Sequence, residues 1–237
     1  MSYLALILLA IALASLSYYY IENFIPKLVA EVYQNFKEIY PSQVPSYSIK
    51  QQQQLSCIKS KSQPPIFIYQ LLFILVILSF FFITQCFWLT FWLSLFFALT
   101  LTLAIIDYFY HFISLTLCQL IFVLTLLGDY WQILPFTIEQ SVINGGLGFL
   151  CFYLFYWISR WFYGKEALGR GDYWLVSALS SCCYMEQLSL FIFIASVFGV
   201  IFYLTHSYFF NALKEIPYAP FLVISAYLLL FFNLLIT

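Results

Sequence analysis

Long apolar runs recur along almost the whole chain, and they constrain its fold more than any other feature. The first is SYLALILLAIALASLSYYYI at residues 2–21, and others cover residues 66–87, 141–160 and 221–237. A bilayer core about 30 Å thick needs roughly 20 apolar residues for each spanning helix. Helices satisfy their own backbone hydrogen bonds in hydrocarbon, so these runs predict transmembrane α-helices.

The composition supports this interpretation. Of the 237 residues, 64% are hydrophobic and only 8% are charged, which is not the balance of a water-soluble domain. The first apolar run lacks the basic n-region of a signal peptide, so we interpret it as a retained helix.

The remaining apolar segments set the number of helices. Between Phe87 and Leu127 there is no Gly or Pro, and only Asp107 and His111 interrupt the apolar pattern. One helix of that length would extend about 60 Å, so we predict two spans with a turn near Asp107–His111. Residues 173–205 predict two short helices, partly re-entrant. The expected fold is an all-α polytopic membrane protein with about eight transmembrane helices in a single domain, residues 1–237.

The basic residues all fall on one side of this arrangement. Five lysines lie in the loop predicted at residues 22–65, Arg160, Lys165 and Arg170 follow the fifth helix, and Lys214 precedes the last. The opposite side carries Asp129, Glu139 and Glu186 and no Lys or Arg. The positive-inside rule therefore predicts that the basic side is cytoplasmic and that both termini are outside.

Two carboxylates meet on the predicted cytoplasmic side. Asp107 ends the third helix there, and Asp172 opens the sixth helix within GKEALGRGDYW, residues 164–174. Two close carboxylates share a proton, so one can activate water while the other donates a proton to a peptide carbonyl. We predict these two as the catalytic pair of an aspartyl protease. Gly169 and Gly171 would let a substrate strand approach Asp172, and Glu166 would shape the same loop.

Other interpretations of these residues stay open. Asp172 is also suited to cap a helix. Asp107 is not suited to do so, because a carboxylate is disfavoured at a helix C-terminus, but it could be a solvated turn residue. A transporter or channel would use Asp107 and Asp172 as a proton or cation relay. The chain shows no internal repeat, and both aspartates sit at one edge, which disfavours alternating access. A third class is a non-catalytic assembly partner that kept the fold.

Three segments resemble the type IV prepilin peptidase family, which are membrane aspartyl proteases with a GxGD motif. They are IIDYF at 105–109, GKEALGRGDYWLVSAL at 164–179 and IPYAPFLVISAYL at 216–228. The resemblance implies a multi-pass protein of the bacterial inner membrane. It implies removal of the basic leader from prepilins or pseudopilins on the cytoplasmic side, with Asp107 and Asp172 matching the catalytic aspartates.

The chain also departs from the family pattern. Trp174 replaces a Lys that is usual two residues after the GxGD aspartate, and the turn after Asp107 reads HFIS. Many members carry two CxxC pairs in the first cytoplasmic loop, a zinc site, and also N-methylate the product. Here that loop has only Cys57. We therefore expect no bound zinc or other metal, and S-adenosylmethionine as a cofactor only if methyltransferase activity is retained. No phosphate-binding loop is present, and we expect no nucleic-acid partner.

Overall fold

The computed structural model describes residues 2–39, 56, 61–164, 169–209 and 216–236. Over these ranges the chain forms eight α-helices and no strand. The helices are α1 (Ser2–Ile39), α2 (Ile66–Thr84), α3 (Phe87–Tyr110), α4 (Leu115–Tyr130), α5 (Ile138–Tyr163), α6 (Asp172–Ser180), α7 (Leu188–Phe209) and α8 (Ala219–Ile236), with a 3₁₀ turn, Met185–Gln187, before α7. The prediction of an all-α polytopic membrane protein is confirmed.

Not all of these helices are long enough to cross a bilayer. Five are, by length and composition: α1, α2, α3, α5 and the segment Met185–Phe209 that contains α7. Helices α4 and α8 are apolar but shorter. Helix α6 has nine residues and extends about 14 Å, less than half of the hydrocarbon core. The expectation of two short helices in residues 173–205 is therefore right for α6 and wrong for α7.

Helix α1 corrects the predicted boundary between the first helix and the loop. It continues for 38 residues to Ile39, with Pro26 inside it, and extends about 57 Å. The apolar run ends near Ile21, but the helical period of apolar residues continues through Ile25, Val29 and Val32. The first part of the predicted 22–65 loop is thus helical. Cys57 and the glutamine run at 51–54 lie outside the described residues.

The chain divides into two compact units, Met1–Phe82 and Ile83–Thr237. In the first unit, α1 and α2 run antiparallel. The aromatic rings of Tyr3 and Phe81 are 5.2 Å apart, and those of Tyr18 and Tyr69 are 5.5 Å apart. The amide of Gln70 on α2 donates a 3.3 Å hydrogen bond to a hydroxyl of α1. The predicted domain boundaries stay a prediction.

The second unit is a bundle of helices that alternate in direction. Trp92, near the start of α3, donates from its indole to the carbonyl of Leu124, near the end of α4, at 2.9 Å. Gln187, just before α7, and Asn233, near the end of α8, exchange two side-chain hydrogen bonds of 2.7 and 2.9 Å. The unit therefore has two ends. The aspartate end contains Asp107, and the distal end contains the Gln187–Asn233 pair.

Glycines allow α5 and α6 to pack closely. A Cβ atom on Gly145 would lie 3.1 Å from the backbone oxygen of Ser177, and one on Gly148 would overlap the hydroxyl of Ser180. The backbone after α6 is irregular but buried, and the carbonyl of Cys183 accepts a 2.7 Å hydrogen bond from the amide of Asn144 on α5. Irregular backbone is tolerated at membrane depth where protein groups satisfy it. This packing fixes the position of α6 and hence of Asp172, its first residue.

Candidate active site

Asp107 lies in the last turn of α3 and is buried, with 5% of its surface exposed. Its Oδ2 atom accepts a 2.9 Å hydrogen bond from the backbone N–H of Ala219, the first residue of α8. The N-terminus of a helix has unpaired N–H groups and a positive dipole end, both of which stabilise an anion. Helix α8 therefore compensates for the unfavourable place that Asp107 has at the end of its own helix.

The turn after Asp107 is held by His111. Its backbone is left-handed, with φ of 53°, and its N–H donates to the carbonyl of Asp107 at 2.8 Å. The predicted turn at Asp107–His111 is thus the C-cap of α3. His111 is exposed and lies close enough to the Asp107 carboxyl to interact with it electrostatically.

Asp172 is the first residue of α6 and is also buried, with 8% of its surface exposed. Its Oδ2 atom accepts a 2.9 Å hydrogen bond from the backbone N–H of Gly169. Burial raises the pKa of Asp172 to about 7, and the negative charge of Asp107 adds to this, whereas the Gly169 N–H acts in the opposite direction. The carboxyl of Asp172 is therefore partly protonated at neutral pH.

The two carboxyl groups have matching surroundings. Each uses its Oδ2 atom to accept one hydrogen bond from a backbone N–H, and no described residue donates to the Oδ1 atom of either. They are close enough for the charge of Asp107 to act on Asp172. The structure thus brings together the two residues that the sequence placed on one side of the membrane. One anchored oxygen and one open oxygen on each carboxyl suit a pair that shares a proton and a water molecule.

Each of the three glycines in the GKEALGRGD segment is explained by a different structural requirement. Gly164 ends α5 in a left-handed conformation, with φ of 65°, which glycine adopts without strain. Gly169 supplies the N–H that holds Asp172, and a Cβ atom there would lie 3.1 Å from Oδ2 of that carboxyl. A Cβ atom on Gly171 would lie 2.5 Å from the Cβ atom of Ile113. Gly171 therefore allows close packing against the turn that follows α3, a reason that the sequence did not reveal.

Tyr218 and Ala219 were also missed by the sequence analysis as residues of the site. Tyr218 directly precedes α8, is half-buried, and its hydroxyl lies 3.3 Å from that of Ser196 on α7. Asp172 is near enough to influence the Tyr218 hydroxyl electrostatically. The first residue of α8, Ala219, thus contacts Asp107, and the residue before it, Tyr218, lies near Asp172. The only signal in the sequence was the resemblance of IPYAPFLVISAYL to a family segment.

Aromatic residues of α5 and α6 flank Asp172. The ring of Trp174, at the position where the family usually has Lys, is 4.8 Å from the ring of Phe149. The ring of Tyr173 is 5.2 Å from Phe149 and 5.8 Å from Tyr153. At this position the chain therefore places an apolar surface rather than a cation beside the candidate site.

Other predicted features are not tested by the structure. Glu166, proposed to shape the loop, lies outside the described residues, as do Lys165 and Lys214. Over the described ranges, no group of three or more His, Cys, Asp or Glu side chains is arranged to hold a metal ion. The cofactor and metal predictions stay predictions.

Comparison with known proteins identifies the family. The family model described as type IV leader peptidase family matches residues 94–204, which include Asp107 and Asp172. A protein of Haemophilus influenzae named prepilin leader peptidase/N-methyltransferase is 32% identical over 235 residues, covering 98% of this chain and 97% of the relative. The chain belongs to the type IV leader peptidase family.

More distant relatives match only parts of this leader peptidase family member. Proteins with the same name from Dickeya chrysanthemi and Dichelobacter nodosus are 38% identical over 63 residues and 31% identical over 91 residues. These matches cover 27% and 38% of this chain and 22% and 31% of the relatives. No solved structure shows a significant match.

Proposed function

We propose that this protein is an aspartyl endopeptidase that removes the leader peptide from type IV prepilins or pseudopilins. Family membership and the name of the Haemophilus influenzae relative support the peptidase activity. The observation that carries the mechanism is the pair of buried carboxyls, Asp107 and Asp172, at one end of the bundle. Each is anchored by one backbone N–H, and the two interact electrostatically.

The two carboxyls are anchored in the same way, but their backbone donors belong to different parts of the fold, and this difference suggests different roles. Asp107 faces the N-terminus of α8, an 18-residue helix whose N–H groups and dipole favour the ionised form. Burial raises the pKa of Asp172 to about 7, so this carboxyl can hold its proton near neutral pH. We assign Asp107 as the general base and Asp172 as the general acid in the resting enzyme, with one proton shared between them.

The reaction then proceeds in two balanced steps. Asp107 takes a proton from a water molecule as the water oxygen bonds to the scissile carbonyl carbon, and Asp172 gives its proton to the carbonyl oxygen. The resulting tetrahedral diol collapses when its C–N bond breaks. A hydroxyl proton returns to Asp172, and the proton on Asp107 passes to the leaving nitrogen. Both carboxyls end in their starting states, and the products are the leader and the mature N-terminus.

The activity should depend on pH in a bell-shaped manner. Above about pH 7, Asp172 loses the proton that it donates, so kcat/KM should fall by about tenfold for each further pH unit. At acid pH, Asp107 becomes protonated and can no longer activate water. The measurement is cleavage of a full-length prepilin by purified enzyme from about pH 4 to about pH 10, with circular dichroism at each pH to confirm folding. A rate that stays constant through both extremes would count against a shared-proton pair.

We further propose that the aspartate end faces the cytoplasm and that the protein resides in the bacterial inner membrane. The one-sided distribution of Lys and Arg supports this orientation. Lys61 and Cys86 flank α2 on opposite ends, and both are exposed. In variants with one cysteine, native Cys86 should react with an impermeant maleimide from outside intact spheroplasts. A cysteine introduced by Lys61→Cys should react only after permeabilisation, and the reverse pattern would disprove the orientation.

We propose that the released pilin leaves this enzyme with little or no N-methylation. The predicted loop has one cysteine and no CxxC pair, so it lacks the four thiolates of the zinc-bound insert. The Haemophilus influenzae relative, whose length this chain nearly matches, carries a name that includes N-methyltransferase, so the proposal departs from what that name states.

Mass spectrometry of a prepilin incubated with purified enzyme and S-adenosylmethionine measures cleavage and methylation together. A relative that has the four cysteines serves as the positive control for methylation. Cleaved pilin without the mass of a methyl group agrees with the proposal. Stoichiometric methylation would show that the transfer does not need the zinc-bound insert. Intact prepilin with folded enzyme would contradict the proposed peptidase function itself.

A further inference from the structure

A third buried carboxyl, Asp129, lies at the distal end of the bundle and takes no part in the proposed reaction. It is in the last turn of α4 and has 5% of its surface exposed. Neither of its carboxyl oxygens has a hydrogen-bond partner among the described residues. The hydroxyl of Ser141, in the first turns of α5, is fully buried and also lacks a partner there. This hydroxyl lies close to the carboxyl, but the two groups are not in hydrogen-bond geometry.

The polar neighbours of Asp129 are already occupied. The thiol of Cys182 lies near the carboxyl, but it is 3.0 Å from the hydroxyl of Thr125 and pairs with it. The amide of Asn144 donates to the backbone carbonyl of Cys183 at 2.7 Å. The Asp129 carboxyl and the Ser141 hydroxyl are thus the two groups of this cluster left with free lone pairs.

Among the described residues of the second unit, no basic side chain lies near enough to balance the charge of Asp129. In the described part of the second unit, the residues that carry or can gain a positive charge are Arg160, Arg170, His111 and His206. All four lie at or next to the aspartate end, because α3, α5 and α7 end there. A buried ionised carboxylate without a partner is very costly, and buried polar groups are normally satisfied by protein, water or an ion.

We propose that Asp129 and Ser141 bind one alkali cation, which joins the distal ends of α4 and α5. A single carboxylate carries one negative charge, so one monovalent cation neutralises the site, whereas a divalent ion would leave an excess positive charge in a buried place. The free ligands are oxygens, which suit hard cations. Water molecules would complete the coordination shell. The cation stabilises the fold and is not part of the peptide cleavage.

The test is thermal unfolding of the full-length protein in nanodiscs, with NaCl or KCl compared with choline chloride at the same ionic strength. A cation that binds only the folded state raises Tm in a saturable manner, and at about ten times its Kd the expected shift is roughly 3–6 °C. Asp129→Asn keeps the shape and removes the charge, so the shift should disappear. Ser141→Ala should reduce it, and Glu139→Gln, which changes an exposed carboxylate nearby, should leave it intact.

Equilibrium binding of radioactive sodium provides a direct second measurement that does not depend on unfolding. Wild type and Glu139→Gln should bind one ion per chain. Ser141→Ala should bind it with at least about tenfold lower affinity, a loss comparable to that of one hydrogen bond. Competition with potassium shows which of the two ions binds more tightly, and saturable binding of either ion supports the site. The proposal is overturned by equal Tm values in choline and alkali salts together with no saturable binding. It is also overturned if acidification stabilises the wild type but not Asp129→Asn, since a proton would then be the occupant.

Discussion

Replacing either Asp107 or Asp172 by asparagine should lower the rate of prepilin cleavage by at least about 10³-fold while the protein stays folded in the membrane. Asparagine matches aspartate in size and still accepts the N–H of Ala219 or Gly169 through its amide oxygen. It cannot exchange a proton with water or with the scissile carbonyl. The double variant should be no less active than either single variant, because the two carboxyls act as a unit.

The control for this prediction is Glu139→Gln, which changes an exposed carboxylate at the distal end and should cleave at the wild-type rate. Retention in the membrane and an unchanged circular dichroism spectrum show that the variants are folded. Full processing of a co-expressed prepilin by either aspartate variant rules out the aspartyl mechanism. If wild type also fails to cleave prepilins while remaining folded, the non-catalytic assembly role becomes the better explanation.

The order and direction of the helices could be predicted because lipid imposes a simple rule on the sequence. Every apolar run of spanning length became a helix, and the interruption at Asp107–His111 became the turn between α3 and α4. Alternating directions then place Asp107 and Asp172 at the same end of the bundle. This deduction needs only the count of helices between the two residues, and an error in the exact length of any one of them does not change it.

The helix lengths could not be predicted as well, because the end of an apolar run is not the end of a helix. Helix α1 continues beyond Ile21 to Ile39, since charged residues and even Pro26 are tolerated while the backbone bonds propagate. Helix α6 is short for the opposite reason. The apolar sequence continues through Ser181–Cys183, but there the backbone leaves the helix and Asn144 takes up a carbonyl.

The anchoring of Asp107 was outside the reach of sequence reasoning. Its partner, the N–H of Ala219, is 112 positions away and carries no side-chain signal, since any residue other than proline supplies the same donor. The sequence showed only that Asp107 lies near a helix C-terminus, where a carboxylate is unfavourable and cannot be explained as a cap. Only the packing of α8 against α3 shows that the N-terminus of a second helix partly offsets this effect. The site therefore depends on long-range packing more than on its local motif.

Gly171→Ala should lower kcat/KM by about 10²-fold, the second-largest effect that we expect from a single substitution. The new Cβ atom would be 2.5 Å from the Cβ atom of Ile113, closer than two carbon atoms can approach. Because Gly171 precedes Asp172 and Ile113 lies in the turn after α3, the two segments must separate. The carboxyl of Asp172 then moves relative to that of Asp107, and a displacement near 1 Å is enough to disrupt proton transfer.

A matched control separates this geometric effect from a general loss of stability. Gly146→Ala adds the same methyl group within α5, where no atom lies within 4 Å of the new Cβ position, and it should leave kcat/KM unchanged. Combining Gly171→Ala with Ile113→Gly removes the atoms that clash and should restore part of the activity, which a merely destabilising substitution would not allow. If Gly171→Ala cleaves prepilin at the wild-type rate, the contact with Ile113 does not set the distance between the two carboxyls. The same result would argue against a need for glycine there in substrate approach, the role that the sequence alone suggested.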